Sequence, residues 1–274
     1  MLIHQIRNAT IIVTYKEKKF LIDPWLMPKD FMPGFEGAVN AAVRQPRVEL
    51  PLPIKDIVNA DAVILTHFHP DHWDEFAAGA LNKNIPFFVQ NNDDAARIRA
   101  WGFNNISILC EEGCEFSGIT LFKTHGQHGK RKIVKPICEQ IGLAYDAMGI
   151  IFKAETEKTL YIAGDTIWCE EVMNAIDKFS PEVIVVNACG AALLNGERII
   201  MDNEDVRKLA DYSSSAAIIA SHMDTVSHLT VTRNDIKKMH IKNKPIKINS
   251  VKSSQTTVAF FYNEKYHLGK EKNR

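Results

Sequence analysis

Apolar positions follow a strand-like pattern near the start of the chain. Residues 9–15 and 19–23 are rich in β-branched and aromatic side chains, which is typical of β-strands. The pattern stops at Pro24, and residues 24–53 contain six prolines together with Gly34 and Gly37. Because proline and glycine interrupt regular structure, this segment predicts a long irregular loop over one face of the protein.

Short apolar runs then alternate with amphipathic stretches along the rest of the chain. Runs such as DAVILT predict buried strands, and apolar residues at helical spacing predict helices between them. The strands are predicted at 61–66, 86–90, within 106–124, 148–154, 159–163, 183–187, 216–221, 246–251 and 256–262. The helices are predicted at 71–81, 93–101, 168–179, 202–212 and 233–240. This alternation indicates a layered α/β fold with helices outside the sheets, and no linker divides residues 1–274 into two domains.

Composition narrows the classes of function. Hydrophobic residues make up 46% and charged residues 24%, as in ordinary globular proteins. Lys plus Arg equals Asp plus Glu at 33 each, which disfavours a nucleic-acid or anionic-membrane partner. The first residues lack the uninterrupted apolar stretch of a signal peptide, so we expect none. No window approaches the roughly 20 apolar residues that span a bilayer. Five cysteines without a Cys-x-x-Cys pair indicate reduced thiols, so we expect a cytoplasmic protein.

The segment from Thr66 to Asp74 carries the clearest chemical signal. His67 and His69 are two positions apart at the end of an apolar strand, where their side chains can converge on one ion. Asp71 and His72 follow at the turn into a helix and can serve a second ion. A single histidine at a strand end is usually structural, but three of the ten histidines lie within these six positions. Imidazole and carboxylate together favour Zn²⁺, Mn²⁺ or Fe²⁺.

This pattern, His-x-His-x-Asp-His after a buried strand, resembles the metallo-β-lactamase superfamily. The resemblance implies a four-layer αββα sandwich of two similar halves, with two divalent metal ions at one edge. The ligands that it implies are His67, His69 and His128 for one ion, Asp71, His72 and His222 for the other, and Asp165 as the bridge. His125 competes with His128, which we favour because the family usually places this histidine just before a glycine or small residue, in the loop after the strand.

The same resemblance implies a hydrolase in which a metal-bridging hydroxide attacks a carbonyl or phosphoryl centre of a small molecule. Asp71 and Asp165 are its catalytic carboxylates, with proton transfer as an alternative role for Asp71. Asp23, Asp74 and Asp224 are candidates to orient the ligands, although turn or N-cap positions would also explain them. Further candidates to support the ligands or face the substrate are His125, Lys130 and Arg131. The two cations could meet a substrate phosphate or carboxylate, but charge runs of this kind usually form a solvated loop, which is the interpretation that we favour.

A narrower resemblance concerns residues 161–169, Asn187 and the run His222-Met223-Asp224. They are similar to the branch that contains L-ascorbate-6-phosphate lactonase, although Cys189 departs from the glycine that is common there. This similarity favours a lactone or a phosphorylated sugar-acid ester as the substrate. A phosphodiesterase or nuclease, a thioesterase and a non-hydrolytic metal-binding protein remain alternatives, and the sequence leaves a homo-oligomer open.

Overall fold

Two seven-stranded sheets form the centre of the computed structural model, which describes residues 1–239, 247–248 and 257–259. The first sheet contains β1 (Leu2–Arg7), β2 (Thr10–Tyr15), β3 (Lys18–Ile22), β4 (Ala62–Ile64), β5 (Phe87–Val89), β6 (Ile106–Ile108) and β14 (Thr257–Ala259). The second contains β7 (Cys114–Phe116), β8 (Ile119–Thr124), β9 (Gly149–Lys153), β10 (Leu160–Ile162), β11 (Val183–Asn187), β12 (Ala217–Ser221) and β13 (Lys247–Ile248). Their spatial orders are β14-β1-β2-β3-β4-β5-β6 and β13-β12-β11-β10-β9-β8-β7.

Each sheet joins an antiparallel part to a parallel part. In the first sheet β1, β2 and β3 pair antiparallel, and β3 to β6 are parallel. In the second, β7 to β10 pair antiparallel, and β10 to β13 are parallel. The carboxyl ends of neighbouring parallel strands lie at one edge of a sheet, which is where ligands bind in open α/β sheets.

Helices cover the outer faces of both sheets. They are α1 (Ile54–Ile57), α2 (Glu75–Ala80), α3 (Asn92–Ala100), α4 (Arg131–Ile141), α5 (Glu170–Phe179), α6 (Asn203–Tyr212) and α7 (Arg233–Lys238). Strand β11 illustrates the layering: Val183 and Val185 join the core between the sheets, whereas Ile184 and Val186 join the core under the helices. This alternation follows from the two-residue period of a strand. The predicted four-layer α/β sandwich is therefore confirmed.

Besides the four-residue helix α1, two elements were absent from the sequence prediction. The first is β1, where buried Gln5 and Arg7 break the apolar alternation that marks a half-buried strand. The second is α4, which begins in the basic run that we interpreted as a solvated loop and contains Pro136. Val134 and Cys138, four residues apart, are its buried positions, and its charged positions remain at the surface.

The observed ends of two helices also differ from the predicted ones. The helix predicted at 71–81 begins at Glu75, because Asp74 is its N-cap and accepts a hydrogen bond from the backbone N–H of Ala77 at 2.8 Å. Residues 71–73 are therefore outside the helix. The helix predicted at 233–240 ends at Lys238, and residue 240 lies outside the described part of the chain. Of the strands predicted at 246–251 and 256–262, residues 247–248 and 257–259 are described as strand.

The segment 24–53 contains turns and isolated bridges rather than helices or strands. Buried hydrogen bonds nevertheless fix the first residues of this segment, from Trp25 to Met27. The buried guanidinium of Arg7 donates to the carbonyls of Trp25 and Met27 at 2.7 and 2.8 Å. The carboxylate of Asp74 accepts from the backbone N–H groups of Leu26 and Met27. Within the described residues, no helix is both long and apolar enough to cross a bilayer.

Candidate metal centre

Four strand ends deliver histidines and carboxylates to one buried cluster. The segment after β4 supplies His67, His69, Asp71 and His72, and the loops after β8, β10 and β12 supply the others. Three groups have ligand atoms within 4.8 Å of one another: His67 with His69 and His128, His67 with His72 and Asp165, and Asp71 with His72 and His222. All seven residues are buried. The structure thus brings together every residue that the resemblance nominated as a ligand.

Two imidazole nitrogens in this cluster are buried without a hydrogen-bond partner in the structure, Nε2 of His67 and Nδ1 of His128. An unpaired buried polar atom costs stability, so it requires an explanation. The other nitrogen of His67 lies 3.0 Å from the hydroxyl of Thr66. A cation bound between these rings would satisfy both unpaired nitrogens, and imidazole with carboxylate is a suitable donor set for it. The residues therefore fit a divalent metal centre.

The other three rings, those of His69, His72 and His222, each have one nitrogen in contact with a group outside the cluster. Nε2 of His69 donates to the carbonyl of Ala144 at 2.6 Å, which leaves Nδ1 as the lone-pair donor. Nδ1 of His222 lies 3.4 Å from Sγ of Cys189. Such contacts set the tautomer and the orientation of a ligating imidazole.

Asp165 occupies the centre of the cluster. Its Oδ2 lies 3.1 Å from Nε2 of His72, 3.8 Å from Nε2 of His222, and 4.0 Å from ring nitrogens of His67 and His128. Its Oδ1 accepts a hydrogen bond from the amide of Asn187 at 2.6 Å. Burial alone would raise the pKa of Asp165, but His72 and His222 hold that pKa well below its usual range. The carboxylate of Asp165 is therefore ionised.

The histidines divide into two electrostatic types. Burial lowers the pKa of His67 and His69, and it lowers the pKa of His128 to about 3. Burial also opposes the charge on His72, but the carboxylates around it, with Asp165 first, raise the pKa of His72 to about 10. The first group is thus neutral and ready to donate lone pairs, whereas His72 must lose a proton when a metal binds.

Most of the candidate supporting residues lie away from the cluster. His125 has a side chain that is 55% exposed, and its Nε2 contacts Oε1 of Glu111 at 2.8 Å. Lys130 and Arg131 are exposed and pair with Glu197 and Asp146, at 3.4 and 3.6 Å. Asp224 pairs with Arg233, and Asp74 caps α2. Asp23 is the exception, because its Oδ2 lies 2.9 Å from Nδ1 of His72.

Sequence reasoning missed two side chains beside the cluster. The amide of Asn8 donates to the backbone carbonyl of Asp71 at 3.1 Å and lies 3.0 Å from Nε2 of His222. His228 is buried, and the electrostatic effects on its pKa come from cluster residues. A turn asparagine after β1 gives no chemical signal by itself. A second histidine shortly after His222 was the available clue for His228.

Residues 18–223 match the family model described as the beta-lactamase superfamily domain. The chain is also 42% identical to the UPF0173 protein YddR of Bacillus subtilis (strain 168), over 86% of this chain and 91% of that protein. The chain belongs to the metallo-β-lactamase superfamily and, within it, to the UPF0173 family. Another UPF0173 protein, a metal-dependent hydrolase of Koribacter versatilis (strain Ellin345), is 24% identical over 83% of this chain and 85% of its own length.

Solved structures support the same assignment. An isothiocyanate hydrolase from Delia radicum gut bacteria matches this UPF0173 protein with a TM-score of 0.88 and 39% identity, over 95% of this chain and 99% of its own. A protein of Veillonella parvula DSM 2008 matches with a TM-score of 0.89 and 40% identity, over the same shares of the two chains. The protein is thus a metal-dependent hydrolase of the metallo-β-lactamase fold. The lactonase branch suggested by residues 161–169 stays a prediction.

Proposed function

We propose that this UPF0173 protein hydrolyses small molecules with an electrophilic carbon, and that isothiocyanates are its leading substrate class. The observation that carries the hydrolytic role is the convergence of four imidazoles on Oδ2 of Asp165 in a buried site. The substrate class rests on the relation to the isothiocyanate hydrolase, at 39% identity and over 95% of this chain. The five thiols are free, which supports the cytoplasm as its location.

We assign two divalent ions, Zn²⁺ or Mn²⁺ with Fe²⁺ as a further option, to the cluster. His67, His69 and His128 would hold the first ion, Asp71, His72 and His222 the second, and Asp165 would bridge them. Bound there, the ions would supply Lewis acidity and lower the pKa of water from 15.7 to roughly 7. Asp23 and Cys189 would keep the second-ion histidines in position through their contacts with Nδ1 of His72 and of His222.

Hydrolysis of an isothiocyanate needs few groups from the protein. Water adds to the central carbon, the C=N electron pair moves to nitrogen, and nitrogen takes a proton. The adduct then breaks its C–N bond, with a second proton transfer to nitrogen, and releases an amine and carbonyl sulfide. Asp71 is buried, and its interactions with His72 and His222 overcome burial to hold its pKa below the usual range. As an ionised carboxylate it is our candidate for receiving the proton that water gives up.

Lactone opening is the second candidate. It uses the same attack of water on an electrophilic carbon, and the similarity of residues 161–169 to the lactonase branch favours it. Lys130 and Arg131 were the candidates for binding a substrate phosphate, but each is paired with a carboxylate outside the cluster, Glu197 and Asp146. A phosphorylated substrate therefore has less support than a neutral lactone. The zero net charge still disfavours a nuclease.

Elemental analysis combined with a substrate panel tests the proposal. The panel contains an aromatic isothiocyanate, neutral and phosphorylated lactones, a thioester and a phosphodiester. We expect bound metal and release of amine from the isothiocyanate. Lactone opening without isothiocyanate turnover would change the substrate class, and phosphodiester cleavage alone would overturn both candidates. A protein that takes up no Zn²⁺, Mn²⁺ or Fe²⁺ would remove the metal centre itself.

Single substitutions then test the site. His69→Ala, His128→Ala and Asp165→Ala should each abolish turnover and reduce the bound metal while the protein stays folded. The exposed His125 provides the matched control, because His125→Ala removes an imidazole that contacts Glu111 rather than the cluster. If His125→Ala lost metal and His128→Ala retained it, His125 rather than His128 would be the ligand.

A further inference from the structure

His228 is a buried histidine that the proposed metal centre does not use. It lies on the loop after β12, and its side chain is only 4% exposed. Nδ1 of His228 has no hydrogen-bond partner in the structure. Among the described residues, three groups have ligand atoms within 4.8 Å of one another and could hold a metal ion, and His228 belongs to none of them. A buried, unpaired polar atom outside the ligand set therefore needs its own explanation.

Two separate segments fix the position of this histidine. The carbonyl of His228 accepts a hydrogen bond from the backbone N–H of Ala192 at 3.1 Å. The neighbouring Ser227 donates from its N–H and its hydroxyl to Oε1 of Gln45, at 3.0 and 3.2 Å. The ring of Phe35 stands edge-on to the imidazole, with centroids 5.0 Å apart. Both Phe35 and Gln45 belong to the segment 24–53. On the same loop as His228, the backbone N–H of Thr230 donates to the carbonyl of Cys189 at 3.0 Å, and Sγ of Cys189 lies 3.4 Å from Nδ1 of His222. The loop of His228 is therefore held between this segment and a residue that contacts the cluster.

Residues of the cluster also act electrostatically on the pKa of His228. Burial lowers the pKa of His228 to about 4, and Asp71, His222, Asp165 and His69 act on it electrostatically. A neutral imidazole has one N–H donor and one acceptor. It therefore adds a hydrogen-bonding group without adding a charge that would repel a cation in the neighbouring site. Phe35 is partly exposed and provides an apolar surface next to that group.

We propose that His228 contacts the substrate, with Phe35 beside it as the surface against which the apolar substituent packs. This inference rests on the proposed function. Attack on the central carbon of an isothiocyanate places negative charge on nitrogen or sulfur, and a fixed N–H donor stabilises such charge best in a site that excludes water. His228 is then a catalytic residue for the charged heteroatom, and Phe35 favours aryl or arylalkyl over short alkyl substituents.

Three variants of the metal-loaded protein separate these roles. His228→Phe keeps an aromatic ring but loses the donor, so kcat should fall about 100-fold, the size of effect seen when one oxyanion donor is removed. His228→Asn restores an N–H and should recover part of that loss. Phe35→Ala should raise KM for an aromatic isothiocyanate and leave its kcat nearly unchanged. Metal content should equal that of the unmodified protein in all three, and His125→Phe is the matched control.

Binding of thiocyanate provides a readout that does not depend on turnover. This anion has the same N–C–S atoms as the substrate group, and calorimetry on the metal-loaded protein should show weaker binding to His228→Phe than to His125→Phe. If the unmodified protein hydrolyses no isothiocyanate, the proposed substrate class fails while the thiocyanate comparison still tests His228. Equal thiocyanate affinity in the two variants would overturn the assignment of His228. Equal kcat on any accepted substrate would overturn it as well.

Discussion

Asp23 and His72 are joined by a contact of 2.9 Å between Oδ2 of the carboxylate and Nδ1 of the ring. The same carboxylate accepts hydrogen bonds from the backbone N–H and the hydroxyl of Thr66, at 2.7 and 2.8 Å. The hydroxyl of Thr66 in turn lies 3.0 Å from Nδ1 of His67. One aspartate at the end of β3 therefore orients a histidine of each proposed ion.

The substitution Asp23→Asn tests this arrangement. Asparagine keeps the size of the side chain but removes the charge and one acceptor, so it cannot accept from both Thr66 and His72 in the same way. Loss of such a supporting contact typically lowers metal affinity 10- to 100-fold, and we expect a fall of about that size. Competition with a chromophoric chelator measures the affinity, and circular dichroism checks that the fold is kept.

Asp61, which directly precedes β4 at the opposite end of the β3–β4 pair, provides a matched control. Oδ2 of Asp61 accepts a hydrogen bond from the backbone N–H of Lys19 at 2.8 Å, at the surface. Asp61→Asn should therefore leave metal affinity unchanged. If Asp23→Asn and Asp61→Asn bind metal equally well, Asp23 has no role in orienting the ligands.

Arg7 supports the site from further away, because its buried guanidinium donates to carbonyls of the segment 24–53. In addition to Trp25 and Met27, it donates to the carbonyl of Val48 at 3.1 Å. Arg7→Met would fill much of the volume but remove the donor from two buried carbonyls, of Trp25 and Met27, and from the partly buried carbonyl of Val48. Since an unsatisfied buried group costs about 1–3 kcal/mol, we expect the free energy of unfolding to fall by about 3 kcal/mol in urea titrations.

Arg44 is the corresponding exposed arginine of the same segment. It donates to the carbonyls of Asp30 and Phe31, both at 2.7 Å, but these groups face solvent. Water can replace the lost donor, so Arg44→Met should change the free energy of unfolding by only about 0.5 kcal/mol. A similar loss in both variants would mean that the burial of Arg7 does not matter for stability.

Local patterns were sufficient to predict the layers and the cluster from His67 to His72, whereas His128, Asp165 and His222 were nominated by the resemblance to a family. The run at 183–187 is apolar at every position but the last, so it identifies a strand buried on both faces. His67, His69 and His72 are close in sequence, and their spacing alone indicates one site. Asp165 and His222 each follow a predicted strand, and the structure places them beside those histidines.

The parts that sequence could not predict depend on distant contacts. Gln5 is buried in β1 because its side-chain oxygen accepts from the hydroxyl of Ser221, 216 positions away. His228 is held by Ala192 and faces Phe35, which are far from it in the chain. No periodicity marks such partners, because they become neighbours only after the sheets have packed.

The five cysteines should differ in reactivity. Cys138, Cys169 and Cys189 are buried, whereas Cys110 and Cys114 are partly exposed, with their sulfur atoms 3.7 Å apart. Native protein should therefore be alkylated at the latter two only, as measured by peptide mass spectrometry, and all five should react after unfolding. Burial raises the pKa of Cys114, so its alkylation should accelerate as the pH increases. Early labelling of a buried cysteine would contradict the packing around it.

The pH dependence of stability tests whether His228 is buried in its neutral form. Burial lowers its pKa to about 4 in the folded protein, against the ordinary histidine pKa of 6.5 in the unfolded chain. Between these two values the unfolded chain binds a proton that the folded protein does not, so stability rises with pH across this window. A shift of the pKa of His228 from 6.5 to about 4 on folding changes the free energy of unfolding by about 3 kcal/mol across this window.

His228→Asn isolates this contribution, because asparagine does not titrate and the other histidines are common to both proteins. Unfolding of the metal-free proteins should be compared at a series of pH values from mildly acidic to neutral. We expect the stability of the unmodified protein relative to His228→Asn to increase by about 3 kcal/mol as the pH rises through the window. A constant difference would mean that His228 has the same pKa folded and unfolded, and is therefore not buried as a neutral ring.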